Sequence, residues 1–123
     1  MRVLFSNEPL AYREAMAAVV ETLRPLVVVS VSDPSDLDAD VSRLRPELVV
    51  CSDITDSIRV CVPAWVSLYP GGESSVSCSI EGRERHQQGI DLAGLLVLVD
   101  EVAAHVQALS QVEASTGTSE PVI

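Results

Sequence analysis

Short β-branched runs, separated by stretches of helical periodicity, constrain the fold of this chain more than any other feature. Leu26-Val27-Val28-Val29 and Leu48-Val49-Val50 are continuously apolar. Strands read this way when both faces of a sheet are covered, as in parallel α/β sheets. Arg2–Ser6 forms the first such run, and Asn7-Glu8-Pro9 breaks it. A helix is expected from Leu10 to Arg24, with Tyr12, Met16, Val19, Val20 and Leu23 at helical spacing and Pro25 as its stop. Leu26–Val31 is the second strand.

Ser32-Asp33-Pro34 is a helix start: Asp33 can cap, Pro34 suits the first turn, and Asp36 favours the positive end of the dipole. Leu37, Val41 and Leu44 make its inward stripe. Asp36, Asp38 and Asp40 lack the glycine and terminal glutamate of a calcium loop, so they read as a solvated face. Pro46 ends that helix and Glu47–Cys51 is the third strand. The polar loop Ser52–Ser57 leads toward a fourth strand at Ala64–Leu68, leaving room for one or two helical turns between them.

Pro70-Gly71-Gly72-Glu73 is a turn, and Ser75–Ile80 alternates with period two, which predicts an antiparallel hairpin. Glu81-Gly82 is a second turn candidate, with Arg83–Gln87 a short exposed strand or loop. Asp91 caps a final helix whose inward positions are Leu92, Leu95, Leu96, Val99, Val102, Ala103 and Val106. Leu98 and Val97 widen that surface. The excess makes Leu95, Leu98 and Val102 a candidate dimer face. Residues 110–123, rich in Ser, Thr, Gly and Glu, are expected to be a disordered tail beyond a domain spanning 1–109.

Composition narrows the function. The chain has 123 residues, enough for one domain that buries roughly two-thirds of its unfolded surface. Hydrophobic residues make up 47%, with few aromatics, so Val, Leu, Ile and Ala build the core. Eighteen carboxylates face eight arginines and no lysine, a net charge of −10. Such a surface repels nucleic-acid phosphates and anionic membranes. Without lysine, Schiff-base and P-loop chemistry is excluded. Cys51, Cys61 and Cys78 read as reduced thiols among apolar residues. Met1 leads straight into a strand with no signal-peptide pattern, and no apolar run reaches the roughly 20 residues of a membrane span. A cytoplasmic protein is the expectation.

In parallel sheets, ligands sit beyond the carboxyl ends of the strands. Asn7-Glu8 and Ser52-Asp53 occupy two such ends. The segment Arg2-Val-Leu-Phe-Ser-Asn-Glu-Pro-Leu-Ala-Tyr-Arg-Glu-Ala-Met16 resembles the opening of a response-regulator receiver domain. Arg45-Pro46-Glu47-Leu48-Val49-Val50 resembles its third strand and Val62-Pro63-Ala64-Trp65-Val66 its fourth. Together these cover roughly the first 70 residues. The resemblance implies a receiver-like, flavodoxin-like α/β sheet, mostly parallel, ordered 2-1-3-4, with an antiparallel C-terminal hairpin and few crossover helices.

The resemblance also assigns places in a phosphorylation pocket. Asn7 takes the place of the first magnesium-binding acid and Glu8 the second. Ser52 falls at the phosphoacceptor place, with Asp53 one residue later. Leu68 falls at the hydroxyl place, with Ser67 one residue before it. The lysine that pairs with the phosphoryl group has no counterpart anywhere in the chain. The implied protein is a pseudo-receiver: a non-enzymatic signalling module, without cofactor or metal, acting through a protein partner or a homodimer. The alternative is a small-ligand binder or weak phosphoacceptor using Asn7, Glu8, Ser52 and Asp53. Ser52 with His86 or His105 lacks the glycine-flanked elbow of a serine nucleophile. Glu8 and Asp53 share a location but nothing more that marks an acid–base pair.

Overall fold

The computed structural model describes residues 1–69 and 75–119, with side chains described to 108 in the last helix. Six strands form one sheet in the order β2-β1-β3-β4-β5-β6. They are β1 (Arg2–Ser6), β2 (Val28–Val31), β3 (Leu48–Cys51), β4 (Ala64–Leu68), β5 (Val76–Ile80) and β6 (Arg83–Gln87). The first four run parallel; β5 and β6 are antiparallel to their neighbours. The expected order 2-1-3-4 and the C-terminal hairpin are both present, and the sheet is mixed. The turn expected at Pro70–Glu73 lies outside the described residues.

Among the described residues, four helices cover the sheet: α1 (Leu10–Leu23), α2 (Leu37–Leu44), α3 (Asp56–Cys61) and α4 (Leu92–Ser119). A 3-10 turn at Pro34–Asp36 precedes α2, with the Asp33 carboxylate accepting from the Ser35 N–H. Strand alternation divides the interior into two layers. Val3, Phe5, Leu48, Val50, Val66 and Leu68 face α1 and α4. Leu4, Val49, Cys51 and Trp65 face α2 and α3. The short α3 is the only helix between β3 and β4, as the spacing predicts, and Thr55 caps it by accepting from the Ile58 N–H.

Two helix faces differ from expectation. α1 buries Arg13, Met16, Ala17 and Val20, while Tyr12 and Leu23 are exposed. The inward row therefore runs through a buried arginine, whose Nε donates to the Asn7 carbonyl at 2.9 Å. On α4, Leu95, Leu98, Val99 and Val102 are buried, whereas Leu92 and Val97 are exposed. Leu95, Leu98 and Val102 are thus core contacts against the sheet and α1, not an outward dimer face. Burying each is worth about 1.5–3 kcal/mol, so the helix spends its largest side chains inside its own domain.

α4 also continues to Ser119, past the boundary expected at 109; residues 120–123 lie outside the described residues. Cys61 is exposed at the end of α3, so only Cys51 and Cys78 are buried thiols.

Candidate functional site

Register brings three carboxyl ends together. Ser6, Cys51 and Ser67 are neighbours across β1, β3 and β4. The residues that follow are Asn7, Ser52 and Leu68, at the positions the sequence singles out.

Asn7 continues the β1 alternation onto the α1 face and is fully buried. Its Nδ2 donates to the Met16 thioether at 3.5 Å, and its backbone carbonyl accepts from Arg13. Its Oδ1 is buried without a hydrogen-bond partner among the described residues, as is the neighbouring Ser6 hydroxyl. The side chain is therefore packed beneath α1 rather than presented to solvent.

Glu8 is exposed, and its N–H donates to the Ser52 Oγ at 3.0 Å. The Ser67 hydroxyl donates to the Ser52 carbonyl at 2.8 Å. These two bonds tie the loops after β1 and β3 to each other and to β4. Ser52 serves as a strut, its hydroxyl lone pair engaged by the Glu8 backbone N–H. Asp53 lies beyond it, exposed, and its carboxylate joins no hydrogen bond among the described residues. Leu68 is buried in the α1-side core, one face away from Ser67.

The far side of this edge departs from a fully parallel sheet. β5 is antiparallel, so its amino end arrives beside the carboxyl end of β4: Leu68 pairs with Val76, and the Tyr69 N–H donates to the Ser75 carbonyl.

Among the described residues, no group of three or more His, Cys, Asp or Glu side chains is arranged to hold a metal ion. Two of the helix-start aspartates are engaged as acceptors instead. Asp38 accepts from the Thr55 hydroxyl at 2.7 Å, joining α2 to the cap of α3. Asp40 accepts from the Ser32 hydroxyl at 2.6 Å and from Arg43, and these donors hold its carboxyl below the ordinary range. The histidines lie elsewhere. His86 Nδ1 is 2.8 Å from the Ser77 hydroxyl across the β5–β6 hairpin, and His105 Nε2 is 3.2 Å from Glu81 but off the hydrogen-bonding direction. Ser52 takes its partners from Glu8 and Ser67.

Next to this edge, a cavity of about 130 Å³ opens between α1, the end of β4 and the start of α4. Met16, Val19, Leu68 and Leu92 line it with Tyr12, Tyr69 and Asp91, so it is mainly apolar with a few polar groups. Tyr69 adopts a left-handed backbone (φ 50°), and its hydroxyl contacts both the N–H and the carbonyl of Ile90, pinning the entry to α4. Arg13 and this cavity are the features that sequence periodicity misses. An arginine on an inward helical row leaves no apolar signal, and the cavity depends on how α4 docks.

Comparison with models of known protein families, with curated proteins and with solved structures finds no match to this chain. No helix among the described residues is long and apolar enough to cross a membrane.

Proposed function

We propose that this chain is a non-enzymatic signalling or protein-interaction module on a receiver-like scaffold, one that does not undergo normal aspartyl phosphorylation. The observation that carries this reading is the burial of Asn7. A magnesium site wants carboxylate oxygens in near-ideal octahedral geometry. The first acidic place instead holds a neutral amide, packed under Met16 and braced by Arg13. The phosphoacceptor place holds a hydroxyl already engaged by the Glu8 N–H. The chain has no lysine to steady phosphoryl oxygens in the transition state, the largest contribution a protein makes to that reaction. Function then rests with surfaces, and a protein partner is the expected receiver of any signal.

Adding magnesium and beryllofluoride, which mimics an aspartyl phosphate, tests this directly by amide NMR. The expected spectrum is unchanged. Shifts clustered at Asn7, Glu8 and Asp53 would show a working pocket and sink the proposal. Adding magnesium alone separates ion binding from phosphoryl mimicry, and it too is expected to leave these resonances in place.

A further inference from the structure

The chain has two tyrosines in all, and both line the cavity between α1, the end of β4 and the start of α4. Its floor is apolar: Met16 is 6% and Leu68 1% exposed. Tyr69 forms part of the wall, held by the contacts of its hydroxyl to Ile90. Tyr12, half exposed, marks the mouth together with exposed Asp91 and Leu92. The volume of about 130 Å³ is close to that of apolar cavities of roughly 150 Å³ that take one benzene-sized molecule. A ligand of about six or seven non-hydrogen atoms therefore fits.

The rim is anionic. The Asp91 carboxylate accepts from the Gly94 N–H at 2.7 Å and forms no ion pair among the described residues. No arginine or histidine lines the cavity among those residues, and residues 70–74 and 109–123 contain none. The amino end of α4 brings about half a positive charge, which the full charge of Asp91 exceeds. A net charge of −10 adds a field that gathers cations at the surface.

We propose that this cavity binds a free, small quaternary ammonium compound, its methyl groups on the apolar floor and its charge beside Tyr12, Tyr69 and Asp91. Aromatic faces attract cations, more strongly where water is excluded, and aromatic-lined pockets are a recurring means of holding quaternary ammonium groups. A primary ammonium would have three N–H donors to satisfy. The cavity offers it few acceptors, because the Tyr69 hydroxyl is engaged at Ile90 and one Asp91 oxygen at Gly94. A quaternary ammonium has no N–H, and its methyl shell suits walls of Met, Leu and Val. An anion is repelled by Asp91, and a neutral ligand leaves that charge unused.

The site uses neither Ser52 nor Asp53. A magnesium-dependent shift at Glu8 or Asp53 would leave it standing, and a cavity that ignores ammonium ions would leave the unphosphorylated reading standing.

Amide NMR of the whole chain, titrated with choline chloride against sodium chloride at equal ionic strength, tests the site. Saturable shifts are expected at Tyr12, Met16, Tyr69, Asp91 and Leu92, with a dissociation constant on the order of 1 mM for a ligand of this size. The alcohol that carries tert-butyl in place of trimethylammonium has the same shape without the charge, and it should bind about tenfold more weakly. Asp91→Asn keeps the helix cap and removes the charge, so it should weaken choline about tenfold and leave the neutral alcohol unchanged. Tyr12→Leu, at a half-exposed position, should keep the wild-type circular dichroism and weaken choline about threefold. Phosphocholine adds the phosphate of a lipid headgroup, which meets the acidic rim, and should bind more weakly than choline. An absence of saturable shifts up to about 50 mM choline overturns the inference. So does equal affinity for choline and the neutral alcohol, choline binding that either variant leaves intact, or phosphocholine binding more tightly than choline.

Discussion

Leu98→Asp is expected to abolish the cooperative folding of this domain. Leu98 packs with Leu95, Val99 and Val102 against the sheet. Truncating a buried leucine typically costs about 2–5 kcal/mol, and a carboxylate placed in the same space adds several more unless it is neutralised. Domains of this kind hold about 5–15 kcal/mol in total. The variant should therefore lose its two-state urea transition and its near-ultraviolet signal. Leu98→Ala should remain folded with a midpoint lowered by about 2–5 kcal/mol equivalent. Val97→Asp, one residue away on the exposed side, should shift stability by about 0.5 kcal/mol or less. The reverse ranking, with Val97→Asp unfolded and Leu98→Asp native, would mean that α4 docks through its other face.

The second large effect is a fall in stability with alkaline pH that traces to one thiol. Burial, reinforced by the negative charge of Asp53, pushes Cys51 from an ordinary 9.0 up to about 12. The folded state thus holds its proton over a range in which the unfolded chain gives it up. Because the folded value is the raised one, the contribution is complete below pH 9.0 and is lost as pH rises toward about 12. Fully expressed, a difference of that size is on the order of 4 kcal/mol.

Chemical denaturation of the wild type and Cys51→Ala at stepped pH should show the difference between them narrowing across that window. A difference constant from pH 8 to 11 would contradict the assignment. Thiol labelling at pH 8 gives an independent reading: Cys61 should react quickly in the native protein, Cys51 and Cys78 only after unfolding. Native labelling of Cys51 as fast as Cys61 would place it at the surface.

The strands were legible in their β-branched runs, while their order came from the resemblance. That order set Asn7 and Ser52 at adjacent strand ends, and the register places them there. The burial of Asn7 was not legible, because a polar residue in a polar loop reads as exposed. What buries it is the α1 row through Arg13, a charged residue on the inward face. The α4 face was ambiguous for the opposite reason. Leu95-Leu96-Val97-Leu98-Val99 is apolar all round, so the pattern cannot say which side meets the sheet. Cys61 illustrates a third limit: a helix of a single turn and a half between two strands carries too little periodicity to separate its ends from theirs.

These failures share one physical origin. Local sequence decides which backbone state a segment adopts, whereas the facing partner decides which of its side chains lie inside. The pocket reading depends on the second kind of information. Asn7, Ser52 and Glu8 stand together, and the bonds from the Glu8 N–H to Ser52 and from Arg13 to the Asn7 carbonyl hold their loops in place.

Intact-mass spectrometry after incubation with magnesium and acetyl phosphate tests the central claim most directly. The account predicts a single unmodified species, unchanged by prolonged incubation or by Asp53→Asn. A phosphoryl adduct that is labile in base and disappears in Asp53→Asn would contradict it, by showing that the exposed carboxylate beside Ser52 accepts the phosphoryl group after all.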